Sequence, residues 1–113
     1  MRLALLFALA ASPALAAPGE DLFADQCSGC HTIEAASDPT APTLKGVVGR
    51  KIASLPDFQY SAALKAKTGT WTEPALDAFL ADPKAFAPGV AMTASSPNAA
   101  ERKAIIQYLE TVK

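Results

Sequence analysis

The feature that most constrains this chain is the stretch Cys27-Ser28-Gly29-Cys30-His31, which contains both cysteines and the only histidine of its 113 residues. The C-x-x-C-H spacing is typical of c-type haem attachment, in which each thiol forms a thioether with one porphyrin vinyl group and the histidine binds iron. Ser28 and Gly29 are small, so the backbone can lie close to the ring. The motif predicts one covalently bound haem c per chain, with Cys27 and Cys30 as anchors and His31 as proximal iron ligand.

The second iron ligand is predicted by elimination. Low-spin electron-transfer haems usually take methionine or histidine as sixth ligand. No second histidine is present, and the methionines are Met1, in a leader-like stretch, and Met92. Met92 follows Pro88-Gly89, a turn-forming pair suited to presenting a side chain from a loop. The alternative is that Met92 fills a gap in the core, as methionines ordinarily do.

Two cysteines at this spacing can also serve purposes unrelated to haem. A thioredoxin-like dithiol needs a preceding strand and a βαβ context, and no alternating apolar run precedes Cys27. A structural zinc site usually needs four ligands, whereas Cys27, Cys30 and His31 are the only Cys and His residues. A disulfide fits an oxidising compartment, but two intervening residues argue against a purely structural bridge. A chance match is the last alternative. The leader-like stretch, the histidine and Met92 together favour haem.

The beginning of the chain resembles a secretory signal peptide. Arg2 supplies a positive n-region, residues 3–11 an apolar h-region, and Ala-Leu-Ala at 14–16 a cleavage site. The apolar stretch is too short to span a bilayer, although an uncleaved anchor is a minority alternative. We therefore predict a signal peptide at 1–16, one domain at 17–113 and a periplasmic location.

The remaining sequence predicts short helices separated by long loops, hence an all-α protein. Predicted helices cover about residues 20–31, 62–67, from the Thr72 N-cap to Pro83, and from the Asn98–Glu101 capping box to about 112. In the first of them, Phe23, Cys27, Cys30 and His31 would share one face. Residues 44–58 are interrupted by glycines and a proline and predict an Ω-type loop. The last helix carries an apolar stripe and is expected to pack on the first.

A series of further landmarks accompanies the motif in a definite order. They are Gly19-x-x-x-Phe23 before the motif, Pro42-x-Leu44-x-Gly46-x-x-Gly49-Arg50, Phe58-x-Tyr60-Ser61, Trp71, Pro88-Gly89 ahead of Met92, and Tyr108-Leu109. Over residues 19–108 this series resembles class I cytochrome c, close to the mitochondrial and purple-bacterial type. The resemblance implies the cytochrome c fold, with short helices and Ω loops wrapped around one haem.

The resemblance also implies roles for residues outside the motif. The Pro42 carbonyl would accept the ring N–H of His31, and Tyr60 and Trp71 would hydrogen-bond a haem propionate, with Arg50 near it. From the residues alone, Pro42 is better explained as a turn proline, and Arg50 could equally be a solvated cation.

The chain departs from the mitochondrial pattern near the predicted methionine ligand and on its surface. Val90 replaces a common threonine and Phe79 a common tyrosine, and losing these hydroxyls should shift the redox potential. That family commonly has a ring of basic residues on its surface, of which Lys84 remains. Asp21, Gln26 and Ala91 stand at positions where basic residues are common. Docking on acidic partners should therefore be weaker and less dependent on salt than in strongly basic relatives.

These observations predict a periplasmic carrier of single electrons through a haem ligated by His31 and Met92, and not an enzyme. Expected partners are redox proteins such as a membrane cytochrome complex, oxidase, reaction centre or dehydrogenase. The net charge of −1 becomes −2 without Arg2. Because the sequence has no dense basic patch, we expect neither nucleic acid nor an anionic membrane as a partner, and no stable membrane insertion. We expect a monomer. Two alternatives stay open: a haem subunit dedicated to one dehydrogenase, and a haem peroxidase or gas sensor with a labile methionine ligand.

Overall fold

The computed structural model describes residues 18–113, which form five α-helices and no β-strand. The helices are α1 Gly19–Gln26, α2 Ala62–Lys65, α3 Glu73–Ala81, α4 Pro83–Phe86 and α5 Ala99–Thr111. Two isolated β-bridges, Asp38 with Ala41 and Lys51 with Thr70, join loops in this part of the chain. The predicted all-α class is confirmed. The predicted signal peptide at 1–16 lies outside the described residues.

Helix α1 is shorter than predicted. It ends at Gln26 with Cys27 as C-cap, and the C-x-x-C-H motif continues as turns. The prediction of helix as far as His31 is therefore wrong, and the motif residues do not lie on one helical face. Ser28 and Gly29 are weak helix formers, which explains the early end. One α-like turn survives, in which the His31 N–H donates to the Cys27 carbonyl at 2.9 Å.

Three helices begin at the predicted capping residues. Side-chain oxygens of Ser61, Thr72 and Asn98 accept the backbone N–H three residues on, at 3.3, 3.3 and 3.1 Å. Such a cap stabilises a helix start by about 1 kcal/mol. In the predicted capping box, the Glu101 carboxylate accepts from Gln26 of α1 at 3.2 Å, so it ties two helices together.

Two helix predictions need correction after residue 61. Helix α2 ends at Lys65, two residues before its predicted end. Pro83 does follow the end of α3, but it also begins α4, which was not predicted. The Asp82 carboxylate caps α4 by accepting the Ala85 N–H at 3.2 Å. A proline in the first turn of a helix is favourable because the missing N–H would have no partner there, so one residue both stops and starts a helix.

The first and last helices pack together, as predicted. The rings of Phe23 and Tyr108 lie 5.4 Å apart, and Gly19 sits directly against the backbone of α5 at Ala104. Helix α3 packs on another part of α5. The largest buried apolar side chains of these three helices are Phe23, Leu76, Leu80, Ile105, Ile106 and Leu109. This packing brings the two ends of the described chain together.

Residues 44–58 contain no helix or strand, in agreement with the predicted loop. Val47 and Ile52 are buried and anchor it to the core. The Gly49 N–H donates to the Trp71 carbonyl and the Trp71 N–H to the Arg50 carbonyl, both at 2.8 Å. Gly49 has a φ of 85°, a backbone conformation that favours glycine. The loop is therefore held in a defined position beside the site described below. Among residues 18–113, no helix has the length and apolarity needed to cross a bilayer.

Two carboxyl groups, Glu73 of α3 and Glu110 of α5, form a contact whose contribution to stability depends on pH. A hydrogen bond with Glu73 raises the pKa of Glu110 above its usual 4.5. The folded state therefore keeps a proton that the unfolded chain releases, so the contact loses stabilising power as pH rises past 4.5. Glu110→Gln is expected to raise Tm at neutral pH and to leave it unchanged in strong acid. Thermal unfolding across pH measures this, with Glu34→Gln in an exposed loop as control; an equal gain at both extremes contradicts a shared proton as the cause.

Candidate haem-binding site

The His31 ring is fixed by one of its two nitrogens. Nδ1 lies 2.8 Å from the Pro42 carbonyl oxygen, which can only accept, so the hydrogen is on Nδ1. Nε2 therefore carries a lone pair. Burial lowers the pKa of His31 despite the opposing effect of the Pro42 hydrogen bond. A neutral imidazole oriented through its second nitrogen is the form of histidine that binds a metal.

The two cysteines carry free thiols, Cys27 half-buried at the end of α1 and Cys30 exposed. Burial raises the pKa of Cys27 to about 11, so this thiol is protonated at neutral pH. A thioredoxin-like dithiol relies on a lowered thiol pKa and a preceding strand, and here a helix precedes the motif. Nor do three or more Cys, His, Asp and Glu side chains cluster anywhere in residues 18–113, as a structural zinc site needs.

The peptide group that accepts from His31 is braced on its other side. The Thr43 N–H, which belongs to the same peptide as the Pro42 carbonyl, donates to the Ser37 hydroxyl at 2.9 Å. Ser37 in turn donates its N–H and O–H to the two carboxylate oxygens of Asp57, each at 2.9 Å. Sequence reasoning missed Ser37 and Asp57, because no motif marks a contact between two loops.

Arg50 also supports this loop. Its Nη2 donates to the Thr43 carbonyl at 2.9 Å, and the half-buried guanidinium has a pKa lowered by burial. The Arg50 guanidinium is therefore held by a backbone carbonyl and is also partly exposed to solvent. Tyr60 lies near it, and the Tyr60 hydroxyl accepts the Leu55 N–H at 3.3 Å, which leaves its own hydrogen free to donate. Backbone hydrogen bonds place Trp71 next to Arg50.

Trp71 is buried in a cluster of aromatic rings. Its ring centroid lies 5.1 Å from that of Phe79 and 5.6 Å from that of Phe86. The two phenylalanine rings are 5.5 Å apart, in an edge-to-face arrangement. The Lys67 ammonium lies 4.4 Å from the Phe86 centroid, a cation–π distance. Phe79 thus packs as an aromatic side chain and supplies no hydrogen-bond donor.

Met92 is half-buried and packs against the core from the loop between α4 and α5. Arg102 of α5 ties down the end of that loop, donating through Nη1 to the Ser96 carbonyl at 3.0 Å and the Pro97 carbonyl at 2.8 Å. Its Nε donates to Asp77 of α3 at 2.7 Å. Arg102 was another residue that sequence reasoning missed.

The predicted site residues fall into two groups. The first group, linked by backbone or side-chain hydrogen bonds through the loops between its members, comprises Cys27, Cys30, His31, Pro42, Arg50 and Trp71. Tyr60 lies near Arg50 and is hydrogen-bonded to Leu55. Met92 reaches the core from a separate loop and, within the described chain, is not hydrogen-bonded to that group.

The residues present fit a haem. Two free thiols, an imidazole with an available Nε2 and a thioether form the donor set of a covalently attached, six-coordinate haem. Apolar side chains that pack on the core remain half-exposed and offer a surface for an apolar macrocycle; they include Ile33, Leu44, Val48, Phe79, Val90 and Met92.

Comparison with known proteins identifies the class. The family model described as cytochrome c matches residues 16–113. The chain is 44% identical over 91 residues to cytochrome c2 of Rhodoplanes tepidamans, and the match covers 79% of this chain and 93% of that protein. It is 41% identical over 95 residues to the cytochrome c-type cyt cy of Rhodobacter capsulatus, covering 83% of this chain but only 47% of that longer protein. The solved structure of cytochrome cH from Methylobacterium extorquens superposes with a TM-score of 0.75 at 39% identity, covering 82% of this chain and 94% of that one.

The chain belongs to the cytochrome c family. The resemblance seen in the sequence, the cytochrome c fold and the covalently bound haem c are thereby confirmed, and Cys27 and Cys30 lie in the C-x-x-C-H motif that attaches it. Members of this kind are electron carriers and not enzymes.

Proposed function

We propose that this chain shuttles single electrons in the periplasm with a haem held by Cys27, Cys30, His31 and Met92. The observation that carries the proposal is the hydrogen bond from His31 Nδ1 to the Pro42 carbonyl, which leaves Nε2 available to iron. The haem iron, once bound, supplies the couple between ferric and ferrous states. The protein's own residues orient the ligands and exclude water.

The site residues favour a carrier with two lasting ligands. The Pro42 carbonyl holds the His31 ring in one orientation, and burial keeps the imidazole neutral. Met92 offers a thioether, a soft ligand that favours the ferrous state. We expect half-buried apolar side chains such as Val90 and Phe79 to help exclude water from the haem, and neither side chain can donate a hydrogen bond to the Met92 sulfur. A ligand pair of this kind suits electron transfer and leaves no open position for a substrate.

Three residues are proposed to bind the haem propionates. The Tyr60 hydroxyl has a free hydrogen, the Arg50 guanidinium supplies positive charge, and the buried Trp71 carries a ring N–H. Arg50 and Trp71 are neighbours through a backbone hydrogen bond, so these groups lie in one region of the structure. Charge-assisted donors are the usual partners of buried carboxylates.

The proposed location and partners rest on sequence. Residues 1–16 would act as a signal peptide, residues 17–113 would form the exported monomeric domain, and its partners would be other redox proteins. Lys84 is exposed, while three other exposed positions at which the family commonly has basic residues hold Asp21, Gln26 and Ala91. Encounters should therefore be small, transient and only weakly dependent on salt.

Optical spectroscopy of the haem-loaded protein tests the proposed ligands. The ferric protein is expected to show the weak far-red sulfur-to-iron band, and the ferrous protein to bind carbon monoxide poorly. Met92→Leu should remove the band and permit carbon monoxide binding, because leucine keeps the apolar volume without the sulfur. Free carbon monoxide binding by the unaltered protein would favour a gas sensor or peroxidase instead. Elution of the native protein within a larger complex on gel filtration would favour a dedicated dehydrogenase subunit.

Arg102 is predicted to control how firmly the Met92 loop closes. Arg102→Met keeps the apolar stem but removes hydrogen bonds to the Ser96 and Pro97 carbonyls and to Asp77. Hydrogen bonds from a charged group contribute about 1.5–3 kcal/mol, so the loop should open about tenfold more often or more. Imidazole titration of the ferric protein, which competes with Met92, should then show a correspondingly higher affinity. Lys103→Met, one residue along α5 and exposed, is the control; equal imidazole affinities in both variants would refute this role.

A further inference from the structure

A chain of hydrogen bonds runs from the protein surface to the His31 ring. The Asp57 carboxylate accepts the Ser37 O–H at 2.9 Å, and the Ser37 oxygen accepts the Thr43 N–H at 2.9 Å. That N–H and the Pro42 carbonyl are the two ends of one peptide group, and the carbonyl accepts from His31 Nδ1 at 2.8 Å. Every link therefore points the same way, from the ring toward the carboxylate.

The series of hydrogen bonds ends at a charged carboxylate, and its middle part is shielded from solvent. The Ser37 N–H also donates to Asp57, at 2.9 Å, and the two bonds lower the pKa of Asp57, so the carboxylate is ionised at neutral pH. Thr43 is only 3% exposed, and Ser37 is half-buried. Water therefore competes little with the two inner hydrogen bonds, although Asp57 itself is exposed.

We propose that Asp57 and Ser37 are positioning residues that tune the iron-bound histidine through the Pro42–Thr43 peptide. Hydrogen bonds in series polarise one another, so an anion at the far end makes the Pro42 oxygen a better acceptor. A stronger acceptor draws the Nδ1 hydrogen away and increases the basicity of Nε2. A more basic ligand favours ferric over ferrous iron. The inference rests on the proposed ligation by His31.

Two simpler roles for these residues predict different results. If Asp57 affected the His31 ring only as a charge acting through space, Asp38 should affect the ring at least as strongly, because the charge of Asp38 raises the pKa of His31. Asp38 bonds to Thr40 and lies outside the hydrogen-bond chain. If Ser37 acted only as a structural brace, its loss should lower stability without a specific change at the ring.

The experiment compares four variants of the haem-loaded protein: Ser37→Ala, which breaks the chain but keeps the charge; Asp57→Asn, which keeps an acceptor but removes the charge; Ser37→Thr, which keeps the hydroxyl; and Asp38→Asn. Midpoint potential and the NMR shift of the His31 Nδ1 proton in the ferrous state are measured for each. Ser37→Ala and Asp57→Asn should raise the potential, with about a twofold change in the ferrous-to-ferric ratio at fixed ambient potential. The ring proton should move upfield in both.

Ser37→Thr should keep the midpoint potential and the Nδ1 proton shift of the unaltered protein, and Asp38→Asn should leave the Nδ1 proton shift unchanged. The proposal is overturned if Ser37→Ala and Asp57→Asn leave both readouts unchanged, or if Asp38→Asn moves the ring proton as far as they do. Failure of the ligation itself is distinguishable, because the unaltered protein would then lack the spectrum of a haem ligated by histidine and methionine. Ser37→Thr and Asp57→Asn are conservative, so the test survives if Ser37→Ala folds poorly.

Discussion

A double variant with Cys27→Ala and Cys30→Ala is expected to be largely unfolded when it is free of haem. The helices of residues 18–113 are short, since α2 and α4 have four residues each and the longest of them, α5, has 13. Isolated helices below about 12–15 residues are marginal in water, so tertiary packing must stabilise them. A domain of this size buries little apolar surface by itself, and a macrocycle attached at Cys27 and Cys30 would add a large buried area.

Far-ultraviolet circular dichroism of the double variant measures this directly. Its helical signal should fall well below that of the haem-loaded protein under the same conditions. Cys30→Ala alone, which retains one thioether at Cys27, is the matched control and should keep a native-like spectrum with lower Tm. A native-like helical spectrum of the haem-free double variant would show that the polypeptide folds without its cofactor.

Gly19→Ala is expected to be the most disruptive single methyl addition outside the haem site. A Cβ at position 19 would overlap the Ala104 carbonyl oxygen and would lie 2.9 Å from the Tyr108 Cβ. Neither atom can rotate away, because one belongs to the backbone and the other is bonded directly to it. Helices α1 and α5 must therefore move apart and loosen the contact of Phe23 with Tyr108. Overpacking typically costs about 1–3 kcal/mol, and a clash with the backbone belongs at the upper end of that range. Denaturant unfolding of the haem-loaded protein measures the loss.

Gly69→Ala separates this clash from the general cost of replacing a glycine. A Cβ there meets no atom within 4 Å, but Gly69 has a φ of 93°, so the cost comes from backbone conformation alone. That cost is about 1 kcal/mol. Gly19→Ala should therefore lose about twice as much stability or more. Equal losses at both positions would mean that α1 and α5 tolerate the extra methyl group.

The sequence by itself determined the features that adjacent residues encode. The C-x-x-C-H motif is a local pattern because two thioethers and an iron ligand must come from one short stretch, and it predicted the cofactor without a structure. Ser61, Thr72 and Asn98 were found for the same reason, since a cap acts on a backbone group three residues away. Met92 followed from elimination among very few candidates, and its ligation remains a prediction.

Only the tertiary structure decided which distant residues support the site. Ser37 and Asp57 are 20 residues apart, and Asp77 and Arg102 are 25 apart, and no spacing rule links either pair. The end of α1 at Gln26 and the separate helix α4 likewise depend on small local preferences that packing resolves. Local patterns specify what a residue can do chemically, whereas a hydrogen bond between two loops exists only once the core has placed both. The sequence therefore predicted His31 as an iron ligand, whereas only the fold shows that Ser37 and Asp57 brace the peptide group that holds its ring.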